Sequence, residues 1–529
     1  MNFIEAAIFI LFLAIISVPI ATRFRLPLEI FLLFGSALIS LMPGLSNFKI
    51  NPIIILNLFL PPILFYAAYF TSWQDFKFNI RPISLLAFGL VIFTMVVIAC
   101  ISKIALPQFS WGESFLLGAI ISPTDAASAT TIIKKFGAPR RLVIILEGES
   151  LINDATALIL FRFSLAAVIG GSFSVTSAIT QFLYITTGGI ILGLVLGFLA
   201  VSILQKINSV SAETTLTFVT AFTCYILGEH LGVSGVITTV VTGIYLGLRF
   251  PEVASSQTRI NAKASWNTLM FIINGFVFAL IGLELPTIIQ NLQTNTWSNL
   301  IYYGLLISCT VIAARIIWVF SAAYLSRLLV PIINRNDPLP TWRGLFVLSW
   351  TGMRGIVSLA TALAIPYFIS TAVPFPHRDL ILFITYCVIV FTLIIPTVSL
   401  PLMLRIFKLS DPENKMKQEA IARMQSLKGA VEHLHAMVKK EKIPEPIFEE
   451  FLNQIERRLK VIETQLSERP YSTLNNEYLG LKRLTLAAIE SERKTLLKLR
   501  KSGDIHDEIF HQLSDELDLE EMRAKTLRI

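Results

Sequence analysis

The chain has 529 residues, of which 54% are hydrophobic and only 15% charged, and its mean hydropathy is +0.68. That balance excludes a water-soluble domain of ordinary composition and describes a polytopic membrane protein. The net charge of +8 resides in residues 1–410, which hold 23 Lys/Arg against 14 Asp/Glu, while 411–529 hold 21 against 22; the basic excess therefore belongs to membrane loops and not to a nucleic-acid surface.

The chain opens Met1-Asn2-Phe3-Ile4-Glu5, without the basic n-region of a cleavable signal, so the first apolar block is expected to be retained. Apolar blocks of about 20 residues, the length needed to cross ~30 Å of hydrocarbon, then recur. About thirteen spans are expected, near 3–22, 27–43, 51–71, 82–105, 112–133, 142–168, 177–205, 212–230, 232–249, 266–285, 299–327, 343–368 and 379–405. Alternate loops differ in basic content. One set holds fifteen Lys/Arg, including Arg25, Lys77, Lys134, Arg141, Lys206 and Arg335, and the other set only Lys49, Lys103 and Arg378. This asymmetry predicts an N-terminus outside and a cytoplasmic C-terminus. Cys100, Cys224, Cys309 and Cys387 fall singly within apolar blocks and read as small buried hydrophobes.

Two blocks contain residues that loosen a helix. The fifth carries Ile121-Ser122-Pro123-Thr124-Asp125-Ala126, where Pro123 removes a backbone donor; the twelfth carries Ser349-Trp350-Thr351-Gly352-Met353-Arg354-Gly355. If spans 1–6 and 8–13 are inverted six-helix repeats, the two interrupted spans are counterparts, the arrangement that marks a transporter's ion site. Asp125 lies nine residues from Lys134, Asp154 thirteen from Arg141 and Arg354 eleven from Arg343. At 1.5 Å per residue each sits about 14–20 Å from the basic boundary, near the midplane.

The sixth block holds Glu147-Gly148-Glu149-Ser150-Leu151-Ile152-Asn153-Asp154. Charge is costly in hydrocarbon, so this cluster is expected to be functional. Helical spacing puts Glu147, Ser150 and Asp154 on one face. A hard monovalent cation such as Na⁺ needs several oxygens, and Asp154, Asp125, Ser150, Thr124 and carbonyls freed around Pro123 supply them. Withdrawn from water, the same carboxylates also take protons. Competition of cation and proton for one site, with alternating access, yields antiport. Asn153 beside Asp154 leaves one fewer acid than a paired-aspartate site, which predicts electroneutral 1:1 exchange, with Asn153 supporting the site through its hydrogen bonds. Arg354 needs a buried counter-charge, and Glu149 is the expected partner in a structural ion pair, with Glu147 as the alternative. Arg315 and Glu284 also fall within or at the ends of spans; Arg315 balances the site, snorkels or serves packing.

From Asp411 the composition becomes charged and helix-forming. Apolar residues recur at three- and four-residue steps through Phe448, Phe451, Ile455, Leu459, Ile462 and Leu466, through Leu481, Leu484, Ala488, Leu496 and Leu499, and through Ile505, Ile509, Leu513 and Leu517, punctuated by Pro444, Pro446, Pro470 and Gly503. A domain at 1–410 and a helical tail at 411–529 are expected, the tail packing on itself or on a second subunit, or sensing a ligand.

Four motifs are similar, in order, to those of the cation/proton antiporter family that includes bacterial Na⁺/H⁺ antiporters and the sodium/proton exchangers of animals and plants. They are Leu60-Pro61-Pro62-Ile63-Leu64-Phe65, Ser122-Pro123-Thr124-Asp125, Gly148-Glu149-Ser150-Leu151-Ile152-Asn153-Asp154 and Gly352-Met353-Arg354-Gly355, with Ala488-Ile489-Glu490-Ser491-Glu492-Arg493 and the acidic stretch near Asp518-Leu519-Glu520-Glu521 in the tail. The resemblance implies an all-α membrane protein of thirteen helices with the fifth and twelfth crossed in a mobile core, a panel of dimer-contact helices, and a homodimer in a bacterial plasma membrane. It implies a transporter and not an enzyme, without a cofactor, whose partners are lipid, a monovalent cation and a proton. It places the ion-binding aspartate on Asp154, its asparagine on Asn153, its serine on Ser150, the unwound-helix pair on Thr124 and Asp125, and the structural ion pair on Glu149 and Arg354. One position departs: many members have an acid where this chain has Tyr66. K⁺ or Li⁺ as the exchanged ion, and a cation channel, are the alternatives, although the chain has no repeated carbonyl filter or acidic ring.

Overall fold

The computed structural model describes residues 3–24, 28–40, 52–170, 175–292, 296–329, 341–370, 373–409, 412–441, 445–466, 472–502 and 507–526. Arg25, Lys49, Arg335, Pro444, Pro470, Gly503 and Ile505, used above, lie outside them, as does the side chain of Glu284. The chain divides into two compact units, Met1–Ser410 and Asp411–Ile529.

In the first unit, helices occupy the apolar blocks, because a backbone in hydrocarbon satisfies its N–H and C=O groups within its own helix. In order they are α1 (Phe3–Phe24), α2 (Leu28–Ile39), α3 (Pro52–Tyr69), the short α4 (Trp73–Phe78), and a continuous span Ile80–Ala105 made of α5 (Ile80–Ser84), a π-helical turn at Leu85–Leu90 and α6 (Val91–Ala105). There follow α7 (Trp111–Ile121), α8 (Ala127–Lys135), α9 (Arg140–Gly170), α10 (Val175–Leu204), α11 (Val210–His230), α12 (Gly235–Val253), α13 (Ser256–Asn291), α14 (Trp297–Leu329), α15 (Trp342–Trp350), α16 (Ile356–Leu363) and α17 (Arg378–Phe407). Among the described residues, seven helices are long and apolar enough to cross a membrane by themselves. The chain is a multi-pass membrane protein.

One amendment concerns the all-α expectation. Between α16 and α17, β1 (Phe368–Ser370) and β2 (Val373–Pro374) pair antiparallel, with Phe368 opposite Pro374. Aromatic and β-branched residues suit an extended strand better than a helix, and Pro374 cannot donate within one.

Both interrupted blocks divide as their sequences predict. α7 starts on a capping box in which Ser110 and Glu113 exchange side-chain bonds with each other's backbone N–H, and it stops at Ile121, ahead of Pro123. α15 starts on Thr341, which caps Gly344 N–H, and stops at Trp350 ahead of Gly352. The halves resume at α8 and α16. Leu116, Ile120, Leu151, Leu158, Leu359 and Val388 bury themselves around these breaks in one apolar cluster, which holds the non-helical backbone away from lipid.

The π turn sits where the span Ile80–Ala105 meets α9 and α14. A π turn leaves carbonyls outside the α-helical ladder. Trp318 of α14 donates its ring N–H to Leu85 O at 3.0 Å, and the indole lies where a Cβ on Gly89 would be.

The second unit consists of α18 (Pro412–Glu441), α19 (Glu445–Leu466), α20 (Ser472–Ser502) and α21 (Asp507–Thr526), with α18 packed on α19 and α20 on α21. Arg493 joins the second pair through Asp518 at 2.6 Å and Glu521 at 2.8 Å. Ile455, Ile489, Phe510 and Leu517 are buried in it, whereas Phe451 and Leu484, counted above in the apolar stripes, are exposed.

Candidate ion-binding site at two crossing helix breaks

The non-helical residues Ser122–Ala126 and Thr351–Gly355 meet each other. Asp125 N–H donates to Met353 O at 2.8 Å, so each break supplies a partner that the missing helical turn of the other leaves available. The closest approach is at Gly355, where an added Cβ would occupy the space of the Asp125 carboxylate. A side chain at this position would have to displace that carboxylate.

Arg354 is completely buried. Its Nε donates to Ile121 O at 3.0 Å, at the C-terminal end of α7, and its Nη1 to Gly352 O at 2.6 Å. Its own backbone N–H donates to Thr392 Oγ1 on α17 at 3.2 Å. A cation at a helix C-terminus offsets the carbonyl dipoles left open there, and Arg354 does this for the broken fifth span.

The ion pair expected between Glu149 and Arg354 is not formed. Glu149 instead pairs with Arg315 of α14, whose Nη1 contacts Oε1 and whose Nη2 donates to Oε2 at 2.9 Å, both side chains being 1% exposed. Arg315 also donates from Nη2 to Leu348 O at 3.2 Å, near the end of α15. Each guanidinium thus serves the carbonyl end of one half-helix, and Arg354 is occupied with its own when Glu149 is reached by Arg315. The planar guanidinium of Arg315 matches the Glu149 carboxylate bidentately.

Thr124 links this pair to the asparagine. Its hydroxyl donates to Glu149 Oε1 at 2.7 Å and accepts from Asn153 Nδ2 at 2.9 Å; the same amide donates to Thr124 O at 3.1 Å. The Thr124 hydroxyl is therefore engaged on both sides. Ser150 Oγ accepts from Ala126 N–H at 3.4 Å, across from the start of α8.

Exposure separates two layers. Glu149, Asn153, Thr124 and Arg354 are buried, whereas Asp154, Asp125 and Ser150 keep part of their surface accessible. Asp154 and Asp125 are near enough to act on one another electrostatically. Three carboxylates (Glu149, Asp125, Asp154) and two guanidiniums (Arg315, Arg354) therefore occupy the crossing among the described residues. Glu147 stands apart, paired with Lys134 at 2.6 Å. Arg315 was visible in the sequence as a charge inside a long apolar helix; what spacing could not supply was the direction it faces.

A sequence profile of the family described as "Sodium/hydrogen exchanger, transmembrane" matches residues 8–406. Among curated relatives, an uncharacterized Na⁺/H⁺ exchanger of Mycobacterium tuberculosis is 29% identical over 512 residues, 96% of this chain and 94% of the relative. A sodium, potassium, lithium and rubidium/H⁺ antiporter of Bacillus subtilis is 28% identical over 499 residues, 91% of this chain and 72% of the relative. Among solved structures, the sodium proton antiporter MjNhaP1 of Methanocaldococcus jannaschii superposes with a TM-score of 0.62 at 20% identity, covering 76% of this chain and 97% of that one. That likeness is one of fold.

Proposed function

The chain belongs to the sodium/hydrogen exchanger family, and on that premise we propose that it exchanges Na⁺ for H⁺ at Asp154, the two cargoes competing for one carboxylate as access alternates between faces. The observation that carries this reading is the accessible layer at the crossed breaks: Asp154, Asp125 and Ser150 present oxygens beside unwound backbone, backed by a buried layer in which Thr124 is hydrogen-bonded to both Glu149 and Asn153. Thr124, with its hydroxyl engaged by Asn153 and Glu149, holds the buried layer and contributes to the cation only if Asn153 yields. Asn153 keeps Thr124 and the unwound backbone in place.

Charge at the crossing supports 1:1 exchange. Fully ionised, the three carboxylates and two guanidiniums sum to one negative charge, which one Na⁺ or one proton cancels, so each half-cycle moves a neutral site. Around this core we assign thirteen crossings arranged as inverted six-helix repeats, an external N-terminus, a cytoplasmic tail at 411–529, and a homodimer in a bacterial plasma membrane. The basic loops support the orientation.

A second reading concerns the ion. The Bacillus subtilis relative is named for four alkali cations, and an all-oxygen ligand set does not by its chemistry reject K⁺ or Li⁺. Reconstituted vesicles carrying a pH dye, challenged with Na⁺, K⁺ and Li⁺ gradients, test both readings. Proton movement driven by Na⁺ and lost in Asp154→Asn is expected; full exchange by that variant overturns the assignment.

A further inference from the structure

Glu147 is the acid of the α9 cluster that the crossing leaves unused. It lies seven residues before Asp154, two helical turns toward the basic end of the helix and along the same stripe, with Ser150 between them. Its side chain is 41% exposed, and its carboxylate takes Lys134 Nζ from the end of α8, itself 59% exposed. The other cations at this end of α9 are engaged elsewhere, Arg140 with Asp75 and Arg141 with Asn79. Tyr66 of α3 lies near enough for Glu147 to act on it electrostatically, and the tyrosine hydroxyl donates to Asn267 of α13 at 2.8 Å.

A carboxylate on the same stripe as Asp154, 41% exposed and holding an ammonium that is itself 59% exposed, forms a weak and reversible pair. Along this stripe Glu147 stands nearer the basic end of α9 than Ser150 and Asp154 do. We propose that Glu147 receives the cation on its approach to Asp154, and that Lys134 is a tethered competitor which the cation displaces. The chain thereby sets its apparent affinity on one face without altering the exchange site itself. This rests on the assignment of exchange to Asp154.

Transport in right-side-out and inside-out membrane vesicles separates the two faces. Glu147→Gln is expected to raise the apparent KM for Na⁺ at least threefold on the Lys134-bearing face, leaving the opposite face and the maximal rate within twofold. Lys134→Gln is expected to lower that KM, and to have no effect once Glu147 is already Gln. A KM unchanged in Glu147→Gln, or single variants that shift KM in the same direction, as loss of a merely structural pair would, overturns the proposal. If Asp154→Asn still exchanges, the site assignment fails; if it is inactive while Glu147→Gln is silent, this inference alone fails.

Discussion

Glu149 and Arg315 are bound bidentately at 1% exposure, and the carboxylate also accepts from Thr124. Truncating one member of such a pair leaves the other charge buried alone, at about 3–5 kcal/mol. Arg315→Ala and Glu149→Gln should therefore lower the melting temperature in detergent and the folded yield sharply. A double-mutant cycle should give a larger coupling for Glu149 with Arg315 than for Glu149 with Arg354; equal couplings would contradict the assignment.

Arg354 donates to two backbone carbonyls at the breaks. Arg354→Ala leaves them unpaired, at about 1–3 kcal/mol each. Its signature should be loosened amide protection around residues 121–126 and 351–355 in hydrogen exchange, with Glu149 and Arg315 still joined.

Gly355→Ala would drive a methyl group into the Asp125 carboxylate. Overpacking of this kind costs about 1–3 kcal/mol, so the protein should still fold. Exchange should fall at least tenfold because an oxygen of the site is displaced. Wild-type exchange in this variant would mean that Asp125 plays no part.

Asn153 donates twice to Thr124. Asn153→Asp adds a second acid next to Asp154, and the neutral balance of the half-cycles is lost. Wild-type exchange is expected to be insensitive to imposed voltage, and exchange by the variant to depend on it. A steep voltage dependence in the wild type would remove the 1:1 reading.

At the far end of α9, Arg162 bridges both oxygens of Glu229 at 2.8 Å, and Glu229 also accepts from Gly235 N–H at 3.1 Å. Arg162→Gln should raise hydrogen exchange at residues 228–235, where α11 turns into α12, while the KM for Na⁺ measured from the Lys134 side stays unchanged.

The breaks were legible because their causes are local. Pro123 cannot continue α7, and Gly352 and Gly355 flank an arginine in a span too apolar to hold one without purpose. The partner of Glu149 was not legible. Spacing gives the depth of an arginine along its helix, and Arg315 and Arg354 both qualify by depth; which of them faces Glu149 depends on how α14 and the broken twelfth span are turned against α9, a tertiary property. The engaged hydroxyl of Thr124 was hidden for the same reason, since it depends on Asn153 and Glu149 arriving together. The short strands Phe368–Ser370 and Val373–Pro374 escaped because segments of so few residues have no periodicity to read.

The π turn at Leu85–Leu90 amounts to a one-residue insertion absorbed within a helix. The carbonyl it presents is held by Trp318, three residues from Arg315 on α14, and residues three apart share a helix face. The insertion therefore acts as a rotational stop: it fixes the angle of α14 about its own axis, and with it the direction in which the Arg315 guanidinium points. Removing one residue from 85–90 would restore α-helical geometry, withdraw the stop, and leave the buried ion pair to find its alignment unaided.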